Sequence, residues 1–159
     1  LSIVQALPIN GAVIVSTPQN IALADAKKGV AMFQQKSIQV PVLGIIENMS
    51  YFTPSELPEN KYYIFGKDGA KYLAEKLETK FLGAVPLVQS IREAGDVGHP
   101  VALQKNTVLE TVFDEITKEM VSELLKRNAN LPPTEVVRIT TMSGCSTEKN
   151  NFYDNTRNN

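Results

Sequence analysis

Apolar and polar positions fall into blocks of two different periods along this chain. Gly11-Ala-Val-Ile-Val-Ser16 and Val42-Leu-Gly-Ile-Ile46 are continuous apolar runs of strand length, rich in β-branched side chains, as expected of strands covered on both faces. Lys80 to Val85 reads as a third strand, ended by Pro86. Between these runs the spacing turns helical. A helix is predicted from Pro18 to about Gln35, with Thr17 as N-cap and Pro18 in the first turn. A second is predicted from Lys67 to Leu77, where Ala70, Leu73, Ala74 and Leu77 form one stripe. Thr107 and Glu110 have the spacing of a capping box ahead of the longest helix, about Val108 to Arg127, with its stripe on Val112, Phe113, Ile116, Met120 and Leu124. Strand, helix and strand in succession imply right-handed parallel crossovers, with Gly11 to Ser16 expected as a central strand.

The remaining segments are punctuation. Leu1 to Leu7 resembles the end of a helix, broken by Pro8 to Gly11, and Ile91 to Ala94 allows at most a short helix before Gly95-Asp96-Val97-Gly98 and Pro100. Pro132-Pro133 stops the last helix, Glu135 to Thr140 has the composition of one more strand, and the Asn-rich stretch from Glu148 to Asn159 is expected to be disordered. With 159 residues, 43% of them hydrophobic, the chain suits one α/β domain and a tail. A net charge of −1 with scattered Lys and Arg argues against nucleic acid as a partner. No apolar run is long enough for a membrane-spanning helix, and one cysteine excludes an internal disulfide framework, so the expected location is the cytoplasm.

Candidate chemistry gathers after the second strand. The phosphate-loop pattern GxxxxGK[ST] is absent, and Gly66-Lys67-Asp68-Gly69 reads better as a helix start. Glu47-Asn48 follow directly on the apolar run, at the carboxyl end where open parallel sheets place ligands. The Asn48 carboxamide, both donor and acceptor, suits the edge of an adenine; equally, an Asn there caps the following turn. The loop from Tyr51 to Phe65 is long and rich in aromatic residues, as interfaces often are, although packing of Tyr63 and Phe65 on the sheet edge explains them as readily. The segment from Pro86 to Pro100 leaves the same rim and is able to wrap a ligand bound there. His99 has no second His and no nucleophile beside it, and Cys145 is one thiol in a small-residue context.

In order and spacing, GAVIVSTPQNIALADAKKG, VPVLGIIENMSYF, YIFGKDGAKYLAEKL and FLGAVPLVQSIREAGDVGHPV resemble the Mrp-type iron–sulfur cluster carrier ATPases of the MinD/ParA-like deviant-Walker P-loop class. The resemblance covers about Leu1 to Leu125. It implies a partial Rossmann-like P-loop NTPase domain: residues 1–131 as the carboxyl-terminal part of the ATPase domain, 132–147 as an extension and 148–159 as a tail. The Walker A loop would lie upstream, so the intact protein is expected to hydrolyse ATP with Mg while this chain alone does not. By the same resemblance, Asn48 contacts adenine, Pro86, Leu87, Val88 and Ile91 belong to the segment that closes over the base, and Thr17-Pro18-Gln19 and Asp25 lie near the dimer-facing side. The family implies a homodimer carrying a [4Fe–4S] cluster to apo-proteins. One departure stands out: the typical carrier has Cys-x-x-Cys after Glu-Asn-Met-Ser, whereas Phe52 to Glu59 contains no cysteine, and oxygen ligands poorly replace thiolates. Cys145 is the remaining thiol candidate. A metal-free regulatory or partitioning ATPase of the same class, acting through protein partners, is the alternative, and a non-catalytic binding module a further one.

Overall fold

The computed structural model describes residues 2–137. Three parallel strands, β1 (Ala12–Ser16), β2 (Val42–Asn48) and β3 (Phe81–Val85), form a sheet in the order β1-β2-β3. Among the described residues five helices surround it: α1 (Ser2–Ala6), α2 (Asn20–Phe33), α3 (Gly69–Lys76), α4 (Gln89–Asp96) and α5 (Val108–Asn130), with a 3-10 turn at Val101–Leu103.

The two-residue period of the strands sorts their side chains between two helical layers. On one face Ile45 packs with Ala70, Leu73 and Ala74 of α3, joined by Ile14, Leu23, Ala26 and Phe81. On the other, Leu82 and Val85 meet Ile116 of α5, with Val13, Ile46, Val112, Phe113 and Met120 around them. The stripes expected on α3 and α5 are therefore the faces that bury. Gly83, at φ 153°, lets α5 lie close to the sheet: a Cβ there would stand 2.6 Å from Ile116.

Several boundaries differ from expectation for identifiable reasons. β2 runs on through Glu47 and Asn48, because both pair with β3 in register with Ala84 and Val85. α2 starts at Asn20, not Pro18, and Thr17 does not cap it; the cap position is Gln19, with no side-chain hydrogen bond. Pro18 is instead buried, with its carbonyl against Gly66 and Gly69, so tertiary packing overrides the local helix-start signal. α4 extends from Gln89 to Asp96 rather than covering four residues, supported by contacts one turn apart from Gln89 to Glu93 (2.6 Å) and Arg92 to Asp96 (2.7 Å). Among the described residues β2 is the central strand and β1 has one neighbour. Val15 is 59% exposed, against the expectation of cover on both faces, because α5 packs over β2 and β3. Residues 135–137 form no strand; 138–140, Cys145 and the Asn-rich tail lie outside the described residues.

Candidate functional site

Neighbouring positions on a strand point to opposite faces, and at the end of β2 this separates Glu47 from Asn48. Glu47 shares the face of Ile45 and meets α3, whereas Asn48 falls on the opposite face, that of Ile46. Glu47 is 3% exposed, and its Oε2 accepts the Ala70 N–H at 2.8 Å. It thus caps α3 from a distance, where the helix dipole favours a negative charge. Burial pushes the Glu47 carboxyl above its ordinary value, opposed by the Ala70 N–H; the nearby Asp68 charge raises it further and the Asp68 N–H lowers it. The Gly66-Lys67-Asp68-Gly69 stretch is a helix start, but α3 begins at Gly69 and not at Lys67: Asp68 holds the N-cap position in the left-handed region at φ 57°, and a Cβ on Gly69 would press on the Pro18 carbonyl oxygen.

Asn48 is half-buried at the sheet's carboxyl rim, and its Oδ1 accepts the Met49 N–H at 2.9 Å. That contact helps to hold Met49 at φ 55° and turns the chain. One lone pair of the carboxamide is thereby engaged, which leaves the Nδ2 donors as its main offering to a ligand. Ser50 is 2% exposed and ties the turn to β3, with both its N–H and its hydroxyl donating to the Val85 carbonyl at 3.0 Å. The Leu87 N–H donates to the Tyr51 carbonyl at 2.8 Å, so the exits of β2 and β3 are bound together. Because Asn48 pairs in register with Val85, Pro86 follows directly beside it. The carbonyls of Pro86 and Leu87 accept no hydrogen bond among the described residues.

The predicted wrapping segment divides in two. Pro86 and Val88 line a cleft of about 450 Å³ with Tyr51, Thr53, Lys61 and the start of α5. Ile91 lies in the first turn of α4 and packs between the cluster of Leu82, Val85 and Ile116 and that of Ala94, Val101 and Leu109. The aromatic loop is pinched at its neck by paired backbone hydrogen bonds between Phe52 and Tyr62, at 2.9 and 2.8 Å. The Lys61 ammonium sits 4.2 Å from the Tyr51 ring centre and that of Lys67 5.1 Å from Tyr63. Phe52, Leu57, Tyr62, Tyr63 and Ile64 are exposed, so Tyr63 is not a sheet-edge packing residue.

Other candidates stand apart from this rim. His99 is exposed beyond α4, and Asp25 pairs with Lys28 on the surface of α2. Among the described residues no group of three or more His, Cys, Asp or Glu is arranged to hold a metal, and no helix is long and apolar enough to cross a membrane. Sequence reasoning missed the parts of Glu47 and Ser50; the signal available for Glu47 was its two-residue offset from buried Ile45.

The family described as ParA, NUBPL iron-transfer P-loop NTPase, matches residues 1–121. The iron–sulfur cluster transfer protein NUBPL of Mus musculus is 53% identical over 125 residues, 78% of this chain and 38% of that protein. An iron–sulfur cluster carrier protein of Synechocystis is 46% identical over 125 residues, 78% of this chain and 35% of its own length. Among solved structures, the cell division ATPase MinD of Pyrococcus furiosus shares the fold, with a TM-score of 0.54 at 20% identity over 71% of this chain and 43% of that one. The chain thus spans little more than a third of the curated relatives it matches.

Proposed function

We propose that this chain, which belongs to the NUBPL iron-transfer P-loop NTPase family, supplies the base-binding rim of an ATP-dependent iron–sulfur cluster carrier. Residues 1–131 act as the carboxyl-terminal part of the ATPase domain, with 132–147 as an extension and 148–159 as a tail. The observation that carries the reading is the juxtaposition of Asn48, at the carboxyl end of the central strand, with the free carbonyls of Pro86 and Leu87. Asn48 donates from Nδ2 to a ring nitrogen, and a carbonyl of Pro86 or Leu87 accepts the exocyclic amine. That pairing favours adenine over guanine, whose carbonyl would face another carbonyl. Val88 and the Tyr51 ring flank the base, while Ile91 holds the segment from the core side.

Phosphates and Mg are held by a segment outside this chain, since no phosphate loop lies within it. The working unit is a homodimer in the cytoplasm, hydrolysing ATP and passing its cluster to apo-proteins. The cluster is cargo, and the residues from Phe52 to Glu59 do not fit it, having hydroxyl and carboxylate oxygens where iron takes thiolate. Cys145, one from each subunit, is the thiolate source left in the sequence.

Nucleotide affinity of the full-length protein tests the rim. Asn48→Ala is expected to weaken ATP binding about tenfold and to narrow the preference for ATP over GTP; unchanged affinity and preference would remove Asn48 from the site. Iron and sulfide content after anaerobic reconstitution, wild type against Cys145→Ser, tests the thiolate. A loss is expected, and equal content would exclude Cys145.

A further inference from the structure

The 48–69 loop is secured mainly at its two ends. On the outgoing leg, Ser50 is bonded to Val85 and Tyr51 to Leu87, which fixes the loop to the exit of β3. On the returning leg, Gly69 packs on Pro18 at the exit of β1, and the Ala70 N–H reaches back 23 residues to the Glu47 carboxylate. Between the ends, the Phe52–Tyr62 pair is internal to the loop, and many of the loop's apolar side chains face outward, Ile64 at 60% exposure. The Glu47–Ala70 hydrogen bond is therefore a side-chain tie across the loop's base, made by the residue next to Asn48.

We propose that Glu47 is a positioning residue: by closing the base of the 48–69 loop it makes the Asn48 rim and the exposed aromatic loop move as one unit. A base bound at the rim and a partner bound at the loop would then each bias the other's posture. The geometry distinguishes this from plain helix capping. A local cap fixes one turn of helix, whereas this one joins the strand end, the returning leg and, through Gly69 and Pro18, the exit of β1. The inference rests on the reading of Asn48 as part of the base site for its consequence, but not for its test.

The test is residue-resolved amide hydrogen exchange on this chain as wild type, Glu47→Gln, Glu47→Asp and Glu47→Ala. Gln keeps an acceptor within reach of Ala70, whereas Asp keeps the charge but falls short by one methylene. Exchange at Ser50, Phe52, Leu87 and Ala70 is expected to rise about tenfold or more in the Ala and Asp variants and to stay within about threefold of wild type in Gln, with Ile14 and Ile45 unchanged in all. Acceleration confined to Ala70 would reduce Glu47 to a helix cap. A uniform rise, or failure of both Ala and Asp variants to fold, would make it a determinant of global stability only; either result overturns the proposal. ADP affinity of the full-length protein separates the two readings: a wild type that fails to bind ADP refutes the base site while the exchange pattern still judges the tie. Binding that is equal in wild type and Glu47→Asp, with the loop exchange raised, would refute the coupling.

Discussion

Helices α3 and α5 begin in opposite ways. At α5 the cap is local: Thr107 Oγ1 accepts the Glu110 N–H at 3.0 Å, and the Glu110 carboxylate turns back to the Asn106 N–H at 2.7 Å and to Lys105 at 2.8 Å. Every partner lies within five residues, so the start of the helix is written in its own neighbourhood. At α3 the N-cap residue Asp68 makes no side-chain cap bond, and the carboxylate that satisfies the first turn comes from Glu47. The local cap is partly solvated and replaceable by water. The distant one is buried, so losing it strands an N–H where water cannot follow.

Glu47→Ala should show the widest gap between the two helices. It removes the carboxyl acceptor and leaves the Ala70 amide buried without a partner, an expected cost of about 2–3 kcal/mol in chemical denaturation. A loss no larger than that of a surface substitution would mean that the end of α3 opens to water. Gly69→Ala strikes the same junction from the other side, since a Cβ would be driven into the Pro18 carbonyl, and the expected loss is about 1–3 kcal/mol. Thr107→Ala, at the local cap, is expected to cost about 1 kcal/mol with no effect on amide exchange in the aromatic loop.

The smallest effect is a pH dependence. The Glu47 carboxyl is raised by burial, so the native state holds its proton more tightly than the unfolded chain. Its contribution to stability is complete below the ordinary glutamate value and is lost as pH rises through the raised one. Glu47→Gln, which cannot ionise, should therefore gain on wild type as pH climbs from the ordinary glutamate value through the raised one. Thermal melts across that range read the difference directly, and a constant offset would show that burial does not perturb the group. The caps contrast here too: Lys105 and the Asn106 N–H hold the Glu110 carboxyl below its ordinary value, so its support is present above that value and is lost as pH falls through the lowered one.

The contrast also explains how much could be read in advance. The three strands, the stripe on α3, the capping box of α5 and the helix start at Gly66 to Gly69 all rest on contacts between near neighbours or on a strict period, and each is present in the fold. The start of α2 was misjudged because Thr17-Pro18 carries a strong local signal that the packing of Pro18 against Gly66 and Gly69 overrides. At the rim, the position of Asn48 was legible from the end of an apolar run. Its role reads two ways from the sequence, turn cap or base contact, and the Met49 N–H donating to Oδ1 shows the turn cap.

The sequence by itself determined the parallel α/β plan, the family and the absence of cysteine from the loop after β2, since periodicity, motif order and composition are properties of the chain without its folding. Only the tertiary structure decided that Glu47 and Asn48 serve different faces, that Ile91 belongs to the core while Pro86 and Val88 line the cleft, and that the aromatic loop is tied to the sheet at both ends. Those outcomes depend on contacts between residues about 20 to 40 positions apart, whose partners no local pattern names. A two-residue period assigns each side chain to a face, but what waits on that face is set by how the helices pack.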